Sequence, residues 1–403
     1  MAAQEYQAPE SVGRLQQRAL SIGGIALLIS ILGAVYMHTP ELFYQSYLIS
    51  FLLILGLTVG SLGLVMLQHL TSGHWGIIIR RPLESATRAL PLMAVAFLPI
   101  AIFGMKYLYA GHGDEKGWLN APPTGEGALS DFQKRYLTQT GFYTRAVIYF
   151  AVWLALMFIF NILSKQQDAN PEDRGLRLRF KMLAGPGIIL YVFVMTFASI
   201  DWVMSLSPHW ASTIYGFLFV AGQLISSMAL MIAIVVLLAR TEPFARVLQK
   251  RHLHDLGKLL LAFVMLWAYF DFSQLLIIWS GNQPEEISFY RTRLYGGWGV
   301  VAVIVLVFHF FVPFFLLLSQ DVKRNAKVLP KIAVWLIFMR LVDLFWMTRP
   351  EFTSRAMPTW LDIVLPIALG GLWLGFFAFN LKQCPLLPLG DPDLAEAIEH
   401  HEH

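Results

Sequence analysis

Long apolar segments recur along the whole chain and constrain its fold more than any other feature. Segments such as 19–37, 47–67 and 300–318 are each about 20 residues long. A helix of that length, at about 1.5 Å rise per residue, crosses a hydrocarbon layer of about 30 Å. Backbone polar groups in lipid must be satisfied within their own segment, so each is predicted to be a transmembrane helix. With 57% hydrophobic and 14% charged residues, the sequence predicts an all-α, multi-pass membrane protein.

Ten transmembrane spans follow from these segments. In chain order they are 19–37, 45–69, 89–109, 142–163, 182–204, 210–239, 256–280, 294–318, 328–346 and 359–381. The predicted domain organisation is an N-terminal segment 1–18, a membrane domain 19–381 and a C-terminal tail 382–403. The loop 110–141 is rich in Gly, Pro and charge, and an ordered lid or docking loop fits it as well as a flexible connector. We expect the tail to be a mobile polar segment.

The distribution of basic residues predicts the orientation in the membrane. With the N-terminus inside, 20 Lys and Arg lie in cytoplasmic segments and 7 in outer loops. The positive-inside rule therefore puts both termini in the cytoplasm, which agrees with an even number of spans. The densest basic cluster lies in the inner loop 164–181, where anionic lipid headgroups and a protein partner explain it equally well. Because the basic residues are spread over membrane-edge loops, the net charge of +4 does not indicate nucleic-acid binding.

The chain lacks the sequence motifs of a cofactor-binding redox protein. Its single cysteine, Cys384, can neither hold an iron–sulfur cluster nor form an internal disulfide. A haem between two histidines needs both at one depth, but His69 lies at the inner edge and His309 about a third of the way in. We therefore predict no bound haem, iron–sulfur cluster or metal. Redox chemistry would use an organic cofactor or occur in a partner.

A faint internal repeat divides the spans into two groups. The fourth span opens with an aromatic pair before Arg145, and the eighth opens with a similar pair before Arg293. The span after each carries an aspartate near its outer end, Asp201 and Asp343, with Trp and Met nearby. The pattern predicts two four-helix bundles, spans 2–5 and spans 6–9, flanked by spans 1 and 10.

Ionisable residues inside the spans are the candidate functional residues, because a charge in lipid is costly and usually tied to function. In the predicted topology, carboxylates with basic partners fall in the outer half, and the inner half is polar but nearly uncharged. Chains of Asp, His and water are the usual proton relays of membrane proteins, and we predict such a path here. The candidates are Asp201, Asp271, Asp343, Arg340, His309, His69, Lys106 and Arg145.

A purely structural role explains some of these candidates better than others. Arg340 and Asp343 are three residues apart on one helix, so a structural ion pair is favoured. Asp271 has no basic residue within one turn of its own helix, so a relay role is favoured. For Asp201, at the outer end of its span, both roles remain open. Polar neighbours that can extend a path from Asp271 are Tyr269, Ser273 and Gln274.

The stretch 197–210, FASIDWVMSLSPHW, together with STIYG at 212–216, resembles one known family. It is similar to the ActF subunits of alternative complex III, a bacterial quinol:cytochrome c/acceptor oxidoreductase. These subunits belong to the NrfD/PsrC group of quinone-interacting membrane proteins. The resemblance extends over most of the chain in its number of helices, its two bundles and its long outer loop.

The resemblance implies a non-catalytic subunit of a respiratory or photosynthetic complex in the bacterial cytoplasmic (inner) membrane. Its expected partners are an ActC-like membrane subunit, iron–sulfur and c-type haem subunits, and membrane lipids. Its expected role is proton conduction, quinol interaction or both. The chain is expected to bind no haem or iron–sulfur cluster itself, and whether it binds a quinone is left open. The alternative is an independent proton- or ion-coupled secondary transporter that uses Asp271 and Asp343 as coupling sites.

Overall fold

The computed structural model describes residues 6–112, 115–125, 127–242 and 244–394, and helices dominate it. Its ten longest helical segments, numbered in chain order, are α1 (Glu10–Tyr36), α2 (Pro40–Thr71), α3 (Arg80–Leu108), α4 (Gln139–Ala169), α5 (Arg174–Trp202), α6 (Tyr215–Leu238), α7 (Lys250–Gly281), α8 (Trp298–Leu318), α9 (Leu329–Thr348) and α10 (Leu361–Leu381). Within the described residues, nine of them, all except α9, are long and apolar enough to cross a membrane. These nine helices indicate a multi-pass membrane protein.

Two of the long segments change their helical form partway along. The segment α3 runs through Arg80–Thr87, Leu90–Pro99, a π-helical turn Ile100–Gly104 and Met105–Leu108. The segment α8 consists of Trp298–Val305, a π-helical turn Leu306–Phe311 and Val312–Leu318. The helix α9 differs from the others in charge, since Lys331, Arg340 and Asp343 lie within its 20 residues.

Shorter elements connect the long helices. The short α-helices are Asp131–Tyr136, Phe244–Val247, Pro284–Leu294 and Gln320–Arg324, and the 3₁₀ turns are His74–Gly76, Trp118–Asn120, Met204–Leu206 and Arg349–Glu351. Two-residue strands, β1 (Gly111–His112) and β2 (Glu115–Lys116), pair antiparallel. In the described part of the loop 110–141, Trp118 is buried and Gln133 donates to the Pro208 carbonyl at 2.6 Å. The loop is therefore held against the core, as the ordered interpretation expects.

The helices pack in two rings that share a central seam. In the first ring α2 contacts α3 and α5, and α4 closes the ring by contacting α3 and α5. In the second ring α6, α7, α8 and α9 each contact the next helix, and α9 also contacts α6. The seam is formed by α2 against α6, and the most apolar part of α2 is wholly buried. Outside the rings α1 packs on α10, where a Cβ on Gly371 would lie 2.7 Å from the Gly23 Cα. Such close approach through small residues is typical of membrane helices.

The first part of the C-terminal tail packs against the protein. Leu386 and Leu387 are fully buried, and the Leu386 amide donates to the Tyr6 carbonyl at 2.7 Å. Asp391 forms an ion pair with Arg80 at 2.5 Å. The expectation of a mobile tail is therefore wrong for residues 382–394, because apolar burial and ion pairing hold them. The His-rich end, 395–403, lies outside the described residues.

Candidate functional site

The second ring buries an ion pair on α9. Arg340 pairs with Asp343 one turn further along the helix, and both side chains are buried. The guanidinium of Arg340 lies against α6 at Gly222, where a Cβ would occupy its space, and 5.5 Å from the Phe219 ring centroid. The pair predicted from the spacing is therefore present, and a glycine on the neighbouring helix makes room for it.

Asp271 on α7 is a carboxylate beside this pair. It is half-buried, and no described residue forms an ion pair or hydrogen bond with it. Its charge interacts electrostatically with that of Asp343 and with the phenol of Tyr290. Because Arg340 is already engaged by Asp343, Asp271 lacks a counter-cation among the described residues.

A short hydrogen-bonded chain leads from the neighbourhood of Asp271 toward the loop before α6. The Nε2 of Gln274 donates to the Tyr290 hydroxyl at 3.4 Å, and Ser212 Oγ donates to Gln274 Oε1 at 3.0 Å. Gln274 therefore joins the segment before α6 to the helix Pro284–Leu294. Tyr269 does not, because 65% of its surface is exposed and it faces away from the ring.

His309 lies near the ion pair, within the π-helical turn of α8. Its side chain is fully buried, and neither ring nitrogen bonds to a described residue. The ring packs edge-on against Trp267, with 4.5 Å between centroids, and interacts electrostatically with Arg340. π-Helical turns are frequent at functional sites. His309 is therefore a buried imidazole whose hydrogen-bonding groups are not used by the described residues.

Asp201 in the first ring has a different environment. Its carboxylate accepts from Arg145 Nε at 2.7 Å, from an Arg145 terminal nitrogen at 2.9 Å and from the Tyr149 hydroxyl at 2.6 Å. Arg145 also donates to the Tyr136 carbonyl at 2.9 Å. Burial, followed by the nearby Asp201 charge, raises the pKa of Tyr136 to about 12, so this phenol stays protonated. Of the two roles left open for Asp201, the geometry favours the structural one.

The arginines and aspartates of the internal repeat have different partners in the two halves. Arg145 pairs with Asp201 at 2.7 Å, whereas Arg293 pairs at 2.7 Å with Glu351, which lies just beyond α9 in a 3₁₀ turn. Asp343, the counterpart of Asp201, pairs with Arg340 on its own helix. Arg145 and Arg293 each tie the start of one segment to the end of another.

Two further candidates lie away from the carboxylates. Lys106 is exposed, forms no ion pair with a described residue, and contacts the Tyr107 ring at 4.6 Å from the centroid. It therefore does not partner the carboxylates, contrary to expectation. His69 is buried at the opposite end of the first ring, where it stacks on Phe180 with 3.9 Å between centroids.

A buried charge network near His69 was missed by the sequence reasoning. Arg81 donates to Glu84 at 2.7 Å and pairs with Asp168, and Ser164 donates to Glu84 at 2.7 Å. The predicted spans place Arg80 to Thr87 in a cytoplasmic loop, but this segment is helical and buried. The first ring therefore buries charged residues near His69 as well as at Asp201. The i,i+3 spacing of Arg81 and Glu84 was the available signal.

An apolar cavity of 520 Å³ lies between α1, α2 and the middle of α3. Its wall includes Leu27, Ile31 and Phe43, and its polar groups come from His38, Tyr44 and Tyr47. The volume falls in the range of small-molecule sites. No group of three or more His, Cys, Asp or Glu suited to a metal ion is found in the described part of the chain.

Comparison with known proteins identifies no relative: the chain matches no protein-family model and no curated protein. The fold and the buried charges define its class as a helical, multi-pass membrane protein.

Proposed function

We propose that this chain is an integral membrane subunit of a quinol:electron-acceptor oxidoreductase of the alternative complex III type, in a bacterial cytoplasmic membrane. It conducts protons, supports quinol interaction, or does both, and it is not catalytic alone. Haem and iron–sulfur clusters belong to partner subunits, as does the electron transfer. The resemblance of 197–216 to ActF subunits motivates this assignment.

The proposal includes ten membrane spans with both termini in the cytoplasm. In this arrangement α9 is the ninth span, and it crosses the membrane with its charges directed into the second ring. Its buried Arg340 and Asp343 support this, because a helix that buries its charges in protein presents an apolar face to lipid. The excess of basic residues at one side supports the orientation.

The observation that carries the proton-conducting role is the environment of Asp271. This half-buried carboxylate has no described cation, lies three residues before Gln274 on α7, and interacts electrostatically with Asp343; Gln274 in turn bonds to Tyr290 and Ser212. Asp271 accepts a proton and passes it along this line, while Arg340 fixes Asp343 as the neighbouring negative charge. His309 extends this line as a neutral imidazole, whose two ring nitrogens have no described hydrogen-bond partner.

The cavity between α1, α2 and α3 supports quinol interaction. A quinone has an apolar tail and a ring with two oxygens, and the cavity offers apolar walls with a few polar groups at one site. His38 and Tyr44 would bind the ring oxygens, since Tyr47 already donates its hydroxyl to the Ala96 carbonyl at 2.8 Å. A bound quinol would supply two electrons and two protons per turnover.

Purification from native membranes in mild detergent tests the proposal. We expect the chain to co-purify with c-type haem and iron–sulfur subunits and with quinol:acceptor activity. A different result would be that the chain purifies alone as a stable protein and transports ions or solutes across the membrane of reconstituted vesicles in an Asp271-dependent manner. That result would favour the secondary-transporter alternative over the proposal.

A further inference from the structure

A second cavity, of 470 Å³, lies between the start of α1, the end of α6 and the end of α10. These ends meet because α1 runs opposite to α6 and α10. Apolar side chains wall the cavity along α6 and α10, among them Leu237, Leu374 and Phe377. It is distinct from the cavity at the far end of α1.

Three arginines line one end of this apolar cavity: Arg14, Arg18 and Arg240. Arg14 and Arg18 are one helical turn apart, so they share a face of α1, and Arg240 follows α6 directly. None of the three forms an ion pair with a described residue, and no acidic side chain in the described chain lines the cavity. Among the described residues, the site therefore has three positive charges without an ion-pair partner beside a hydrophobic crevice.

We propose that this cavity binds an anionic phospholipid. The phosphate lies among Arg14, Arg18 and Arg240, because the planar guanidinium fork matches phosphate oxygens in bidentate geometry. One acyl chain runs along the apolar wall of α10. Basic pockets between transmembrane helices are suited to anionic headgroups, and the proposed orientation places this one at the cytoplasmic leaflet. A lipid here would join α1 and α10 to α6.

Native mass spectrometry of the full-length chain, purified with any subunits that accompany it, tests this proposal. After delipidation, dioleoylphosphatidylglycerol is added, and the number of lipids retained per chain is counted. We expect one retained lipid in the wild type and about tenfold weaker retention in an Arg18→Gln/Arg240→Gln variant. The control is Arg246→Gln, which removes an exposed arginine paired with Glu242 outside the cavity.

Three further measurements identify the ligand. Dioleoylphosphatidylcholine should be retained at least about fivefold less than the anionic lipid, and inorganic phosphate should not displace the lipid. If the double variant fails to fold, Arg18→Lys/Arg240→Lys, which keeps both charges, should still prefer the anionic lipid. Equal retention of both lipids, displacement by phosphate alone, or unchanged retention in the folded Gln variant would overturn the proposal.

Discussion

Arg340 pairs with Asp343 within α9, and this pairing leaves the nearby Asp271 on α7 without a described cation. The two carboxylates therefore have different surroundings although both belong to the second ring. Asp343 has an ion-pair partner, and Asp271 has none among the described residues. This division of roles underlies the first prediction.

Asp271→Asn should leave assembly intact while activity falls. The asparagine keeps the shape of the side chain but cannot titrate, and a positioned acid–base group typically contributes about 10²-fold or more. Proton release per turnover, normalised to assembled complex, should therefore drop at least tenfold. The matched control is Asp255→Asn on the same helix, where the aspartate pairs with Lys258 at the surface. Poor assembly of the Asp271 variant would instead indicate a neutralising, structural role.

Arg145→Gln should destabilise the protein strongly. The change strands the carboxylate of Asp201, which is fully buried, and loss of one partner from a buried pair costs about 3 kcal/mol. Thermal unfolding in detergent should show a clear loss, and Asp201→Asn in the same background should recover part of it. Lys258→Gln, which breaks the surface pair on α7, should cost less than about 1 kcal/mol. If Arg145→Gln and Lys258→Gln destabilised the protein equally, the Asp201 carboxylate would be solvated and not buried.

Gly222→Ala should disturb the Arg340–Asp343 pair without changing any charge. The added Cβ would occupy the space of the Arg340 guanidinium, and overpacking of a buried site typically costs about 1–3 kcal/mol. Gly185→Ala on α5 is the control, since nothing lies within 4 Å of a Cβ there. The unfolding temperature should fall in Gly222→Ala and stay at the wild-type value in Gly185→Ala. An unchanged variant at 222 would show that Arg340 can move aside at little cost.

Arg80→Gln should release the packed part of the C-terminal tail. It removes the buried ion pair with Asp391, so residues 382–394 should become more accessible to added protease. Limited proteolysis followed by mass spectrometry should detect faster cleavage in this segment than in the wild type. Arg179→Gln, an exposed arginine of α5 without an ion pair to a described residue, should leave the cleavage rate unchanged. Equal cleavage in all three would indicate that the remaining contacts, namely buried Leu386 and Leu387 and the Arg177–Asp393 ion pair, hold the tail without Arg80.

A topology reporter fused after His403 and another inserted near Gly125 should lie on opposite sides of the membrane. The bias of 20 basic residues to 7 predicts the first in the cytoplasm and the second outside. Reporter activity in intact cells measures this directly. Both reporters on one side would mean that one helix, with α9 the first suspect, does not cross.

The apolar helices follow from the linear sequence, because hydrophobicity and length are local properties. The presence of a single cysteine is read directly from the sequence. The Arg340–Asp343 pair also follows from it, since residues three apart on a helix are neighbours whatever surrounds them. The structure shows the Arg340–Asp343 pair, and within the described residues nine of the ten predicted spans are helices long and apolar enough to cross a membrane. Among these nine, the bounds differ most at α1 and α3, which begin at Glu10 and Arg80, each nine residues before the predicted start.

Other relationships depended on which helices meet. Arg293 pairs with Glu351, Ser164 on α4 donates to Glu84 on α3, and the tail returns to Arg80. Each of these contacts joins residues that are far apart in the chain, so hydropathy and spacing carry no information about them. The tertiary structure decided them, because a buried charge is stabilised by whichever partner packing brings within hydrogen-bond distance.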